Sequence, residues 1–135
     1  MDDQERSALK VRVRDILMVH KGPNDCVLMN EIYVEVTGYH IIPTRRIDQT
    51  RIIRSIIVAL REESCPIGIK AGSGGGYFWA RNDAELEATI VTFHKRAISS
   101  LKQEAALKRI PFGELLEQYE LELSQQPQLQ EAVNG

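Results

Sequence analysis

Six residues within a stretch of ten carry side chains suited to nucleic acid: Arg45, Arg46, Gln49, Thr50, Arg51 and Arg54. An arginine fork donates two parallel hydrogen bonds to guanine, a glutamine amide pairs with adenine, and a threonine hydroxyl reaches a base edge or a phosphate. Asp48 is the one opposing charge in that stretch. The competing reading is a basic solvent face of an ordinary helix, partly neutralised by Asp48.

A second group lies further along, where Lys70 precedes "AGSGGG", residues 71–76, with four glycines in six positions. Ser73, Gly74 and Gly75 form the middle of that loop. Glycine lets a backbone approach a ligand closely, and bare N–H groups donate to phosphate oxygens. A plain flexible connection between two strands is the alternative. A nucleotide-binding phosphate loop is excluded, because the Gly-Lys-Ser/Thr ending is absent and the following residues read as a strand.

Other chemistry finds little support. His20, His40 and His94 are scattered, without cysteine or carboxylate at ligand spacing, so no metal site is expected. No Ser-His-Asp order or nucleophile elbow is present. The chain therefore reads as a non-enzyme without cofactors. Cys26 and Cys65 form no Cys-x-x-Cys pair and no framework, which suits a reduced, cytoplasmic setting. "MDDQERSALK" is acidic and polar and is not expected to be a signal peptide. No apolar run approaches the roughly 20 residues of a membrane span.

The net charge of −2 over 135 residues hides an asymmetry. Residues 40–70 carry +3 and residues 71–109 carry +2, whereas residues 1–39 carry −2 and residues 110–135 carry −5. A basic middle between acidic ends fits a nucleic-acid surface, and from charge alone it fits the solvated face of an ordinary domain equally well.

The elements that must position these residues follow from periodicity. Leu9, Val13, Ile16, Leu17 and His20 predict a helix over 7–20, with Ser7 as N-cap and Gly22-Pro23 as stop. Val27, Leu28, Ile32, Tyr33 and Val36 predict a second helix over 26–37, closed by Gly38. A third, roughly 46–63, opens at Thr44 or Asp48 and places Ile52, Ile53, Ile56, Ile57 and Leu60 on one face, with Arg51, Arg54 and Arg61 between them. Strands are expected at 67–70 and 77–80, joined as a hairpin that must pack on the helices to be stable. Trp79 is expected to pack on that core. A long helix, 83–109, starts at Asn82 or Asp83 and carries the stripe Leu86, Ile90, Phe93, Ala97 and Leu101. It is long enough to pair with its copy in a homodimer. Pro111 stops it, "ELLEQYELEL" reads as a last, acidic helix, and the polar tail 125–135 is expected to be disordered.

Three helices and a glycine-looped hairpin follow the element order of a winged helix-turn-helix. The stretch "RIIRSIIVALREESCPIGIKAGSGGGYFWA" resembles that family, including DNA-binding domains of the biotin-operon repressor type, through Leu60-Arg61, Pro66-Ile67, Gly76-Tyr77 and Trp79. Its continuation, with Asp83, Glu85 and Leu86, is similar to small phage and prophage winged-helix proteins. The resemblance covers about residues 44–108. Many relatives carry a glycine before the Pro-Ile pair, where this chain has Glu63-Ser64-Cys65.

The resemblance implies an α+β, mainly helical fold: a winged domain over 1–82 (three-helix core plus β-hairpin wing), then a long C-terminal helical extension over 83–124. It makes the third helix the recognition helix, whose early residues meet base edges in the major groove. It makes Lys70, Ser73, Gly74 and Gly75 a wing that contacts the backbone. The function implied is a dimeric regulator that binds double-stranded DNA, of phage or mobile-element type. The alternatives are a winged protein-interaction module working through the acidic C-terminal helix, or an accessory factor in phage replication, recombination or packaging.

Overall fold

The computed structural model describes residues 1–43 and 47–125. The chain is α+β and mostly helical, with five helices and a two-stranded antiparallel hairpin among the described residues. It divides into two compact units, Met1–Ile90 and a second from Val91 onward.

In the first unit, α1 runs Asp3–Val19 and buries Leu9, Val13 and Leu17, spaced by four. It begins before the predicted Ser7, because Asp2 accepts the Glu5 N–H at 2.7 Å and so caps a polar first turn that apolar periodicity does not register. The link to α2 is extended. Trp79 donates its N–H to the His20 carbonyl at 2.7 Å, Gly22 donates to the Trp79 carbonyl at 2.9 Å, and Val27 and Tyr77 exchange two bonds of 2.8 Å. Val27 is therefore committed to strand pairing, and α2 spans Met29–Thr37 instead of starting at residue 26. Gly38 closes it in the left-handed conformation, φ 75°, as the sequence predicts.

Helix α3 spans Arg51–Glu62 and buries Ile53, Ile56, Ile57 and Leu60. With Leu9, Val13, Leu17, Val27, Ile32, Val36 and Ile67 these form one core. Each such side chain stabilises the fold by about 1.5–3 kcal/mol through burial. The helix is shorter than predicted at its start. Residues 47–50 form a turn held by Asp48, and Thr44 lies outside the described residues. At its end, Ser64 takes the left-handed conformation, φ 73°, which favours glycine.

Strand β1, Ile67–Lys70, pairs with β2, Gly76–Trp79, in the register Ile67 with Trp79 and Ile69 with Tyr77. Tyr77 and Trp79 pack partly buried against the core, in line with the expectation for Trp79. Phe78 points to the other face and is 2% exposed, its ring lying over Gly68, where a Cβ would collide with it. Both outer edges of the hairpin are occupied. Residues 20–27 pair with β2, and Thr89 bonds Ile69 of β1. That answers the instability of a lone hairpin.

Helix α4, Asp83–Lys108, is opened by Asn82, whose side chain accepts the Glu85 N–H at 3.1 Å. Arg81 braces the same turn: its N–H donates to Glu85 Oε1 at 2.7 Å and its guanidinium to Oε2 at 2.6 Å. The pairing holds the Glu85 carboxyl below its usual pKa and the Arg81 guanidinium above its own. In the second unit Arg109, just past the end of α4, adopts φ 57°, and α5 follows over Phe112–Gln125. Ala105 and Leu115 are buried, and the Tyr119 hydroxyl donates to Glu104 at 2.8 Å. The tail predicted to be disordered lies, from residue 126, outside the described residues.

Candidate nucleic-acid interface

Helix α3 has a buried isoleucine face, and its opposite side is exposed at Arg51, Arg54, Ser55 and Val58. The Arg51 side chain makes no hydrogen bond to the described residues. Arg54 donates to Asp48 Oδ2 at 2.7 Å and stays 59% exposed. Asp48 Oδ1 accepts the Thr50 hydroxyl at 2.6 Å and the Thr50 N–H at 3.0 Å. The hydroxyl contact, ahead of the Arg54 charge, holds the Asp48 carboxyl below its usual pKa.

The cluster read from the sequence divides accordingly. Arg51 and Arg54 face solvent. Thr50 is 5% exposed and its hydroxyl is donated to Asp48, so it fixes the helix start instead of presenting a polar group outward. Gln49 is turned back on the α2–α3 connection: its amide donates to the Ile42 carbonyl at 2.8 Å and accepts the Ile42 N–H at 3.1 Å. There it borders an open cleft of about 540 Å³ with Tyr33, Tyr39, His40 and Ile42. Arg45 and Arg46 lie outside the described residues.

Arg61 departs from the basic face expected for this helix. Its Nε donates to the Ile67 carbonyl at 2.9 Å, tying α3 to β1, and burial pushes its guanidinium pKa down. Arg12 is similarly engaged with the Glu35 carbonyl at 3.1 Å, and Lys10 with Glu63 at 2.7 Å. A cation absent from the predicted set takes a place near α3 instead. Arg6, from α1, donates to Ser55 Oγ at 3.1 Å, and Ser55 stands one turn beyond Arg51. Forty-nine residues separate Arg6 from Ser55 in the chain, so no local pattern announces the contact.

The hairpin tip is a turn in which Gly75 donates its N–H to the Gly72 carbonyl at 3.0 Å. Gly72 has φ 88° and Gly74 φ 74°. Gly74 thus fills the third turn position, where a type II turn requires positive φ. Ser73 and Gly74 are exposed, and their N–H groups donate to no described residue. Lys70 is exposed at the end of β1. Gly75 and Gly76 serve the fold. Gly75 is buried and a Cβ on it would collide with the Lys70 carbonyl oxygen, and a Cβ on Gly76 would lie 2.6 Å from the Val27 carbonyl oxygen. Gly75 therefore leaves the set of tip donors.

Along α4, Leu86 and Leu101 are half-buried and Ala97 is exposed. Ile90 is 60% exposed and Phe93 45% exposed. On α5, Leu116 is 41% and Leu121 63% exposed, among Glu114, Glu117, Glu120 and Glu122. Among the described residues no three His, Cys, Asp or Glu side chains gather as a metal site, and no helix is long and apolar enough to cross a membrane. No family model, curated protein or solved structure matches the chain.

Proposed function

We propose that the protein is a cytoplasmic, sequence-specific regulator that binds double-stranded DNA through a winged helix-turn-helix layout. Helices α1 to α3 are the trihelical core, α3 enters the major groove, and the hairpin is a wing set on the sugar-phosphate backbone. The observation that carries this reading is the outer face of α3. Arg51 and Arg54 stand exposed there, Arg54 held by Asp48, while Arg61 is tied to the Ile67 carbonyl, Arg12 to the Glu35 carbonyl and Arg81 to Glu85. Arg6 joins them through Ser55, and Lys70 with the free N–H groups of Ser73 and Gly74 supplies phosphate donors at the wing. The exposed Ile90 and Phe93 support a homodimer formed through α4. The likeness of residues 44–108 to small phage proteins is the ground for assigning the regulator to a phage or mobile element.

The test is selection of sites from a random duplex pool, followed by titration at several salt concentrations. With about four to six phosphates neutralised per protomer, log K falls with a slope of roughly −4 to −5. Arg51→Ala or Arg54→Ala costs about 1–3 kcal/mol on the selected site, with circular dichroism unchanged. A flat salt response, or full binding by both variants, overturns the reading.

A second reading rests on α5. Its glutamates beside exposed Leu116 and Leu121 suit a basic partner protein, and the chain would then be an interaction module or an accessory factor in phage replication, recombination or packaging. Loss of function in Leu116→Ser/Leu121→Ser with DNA binding unchanged would favour it.

A further inference from the structure

Asp48 uses its two oxygens for different tasks. Oδ1 takes both the N–H and the hydroxyl of Thr50, and Oδ2 takes Nη1 of Arg54 at 2.7 Å. Thr50 is buried, so one oxygen of the carboxylate is tied to a residue fixed in the fold. Arg54 is bound through that single nitrogen, which leaves its Nε–Nη2 edge without a hydrogen-bond partner among the described residues. This edge can still give guanine O6 and N7 two parallel bonds. An arginine on a flexible stem spends rotamer entropy to reach that geometry, whereas one pinned at Nη1 has already lost it. The carboxylate also carries a negative charge toward any phosphate nearby, which lowers affinity for every sequence alike.

We propose that Asp48, backed by Thr50, is a positioning residue that presents the free edge of Arg54 to a guanine and exchanges general affinity for base selectivity. The proposal rests on the DNA-binding reading above and names the element that sets its specificity. The relay of buried hydroxyl, carboxylate and exposed guanidinium makes Arg54, and not the unpinned Arg51, the principal base reader.

Asp48→Asn tests it. The asparagine carbonyl still accepts from Thr50, so the start of α3 is kept, while the charge and the Arg54 pairing are lost. On random duplex the variant binds more tightly and its salt slope steepens by about one phosphate, roughly 0.9. On the selected site it binds more weakly, and preference at one guanine drops by about tenfold, the effect of ~1.4 kcal/mol. Arg54→Lys, which keeps the charge and loses the fork, removes the same preference. Equal weakening on both duplexes with lowered thermal stability would reduce Asp48 to a helix-start residue. Equal strengthening on both with unchanged preference would make it only a counter-charge. Either outcome overturns the proposal while leaving DNA binding intact. If the unmodified chain binds neither duplex, the DNA reading falls and takes this inference with it.

Discussion

Thr89 Oγ1 accepts the N–H of Ile69 at 3.0 Å and donates to the carbonyl of the same residue at 3.3 Å. One side chain on α4 thereby satisfies both outward-facing backbone groups of Ile69 on β1. Thr89 is 4% exposed. Replacing it by valine keeps the volume and removes both bonds. An unsatisfied backbone group costs about 1–3 kcal/mol, and Thr89→Val should lower the unfolding free energy by that amount. Urea titration checks it, with Thr92→Val, on an exposed part of α4, as the control.

Ser64 offers the opposite change. Its φ of 73° is a conformation that a Cβ disfavours by roughly 1–2 kcal/mol. Ser64→Gly relieves that and pays part of it back in unfolded-chain entropy. A net gain of about 0.5–1 kcal/mol is expected, read as a raised urea midpoint at unchanged slope. No gain would mean that the turn before Cys65 is stabilised by the serine side chain.

These two residues mark what the sequence can and cannot disclose. The isoleucines of α3, the glycine cap of α2 and the alternation of the hairpin are local patterns, and each was readable. The stretch Glu63-Ser64-Cys65 stood out in the sequence for lacking a glycine, without showing which residue turns, and the structure puts the positive φ at Ser64. Thr89 and Arg6 were not readable, since their partners lie 20 and 49 residues away and each contact involves one polar side chain with no local pattern around it. Val27 misled because a valine near a helical stripe fits either period, and its pairing with Tyr77 decided between them. Gln49 and Thr50 misled for another reason. Residue type gives the chemistry of a side chain but not its direction, and here both turn to neighbouring backbone or to Asp48.

Acid should weaken the fold at two marked carboxylates. Asp48 and Glu85 both have folded pKa values held below the ordinary range by hydrogen-bond donors, Thr50 for the first and Arg81 for the second. A depressed folded pKa contributes stability that is complete above the unfolded value and is lost as pH falls through the folded one. Thermal midpoints should therefore decline on the acid side of the carboxylate range, and the decline should be shallower in Glu85→Gln. An equal slope in that variant would show that the Arg81 pairing carries no linkage.

Ile90 and Phe93 should hold the proposed dimer. Both are large apolar side chains left exposed on α4, three residues apart and so on one helix face. Ile90→Asp together with Phe93→Asp places two charges in that surface. The double variant should sediment as a monomer at concentrations where the parent is a dimer, with helix content retained. A monomeric parent at high protein concentration would reject the α4 interface outright.

The wing should supply affinity and not selectivity. Its tip presents one short hydroxyl, at Ser73, and the N–H groups of Ser73 and Gly74, and Lys70 is the nearest cation on β1. The tip groups do not tell one base from another, and Lys70 at the base of the wing is placed to reach a phosphate, so what they contribute is phosphate contact. Residues 71–75 can be replaced by Asn-Gly, a pair suited to a tight type I′ turn, while Gly76 must stay because it pairs with Lys70 and lies against the Val27 carbonyl. The shortened hairpin should fold, since its two edges are still bonded by Val27 and Thr89. Its binding should weaken by the same factor on a selected site and on scrambled duplex. A much larger loss on the selected site would show that the wing reads sequence. No loss on either would make the glycine loop a connection and nothing more, and the contacts of the protein with DNA would then have to come from α3, Arg6 and residues outside the hairpin.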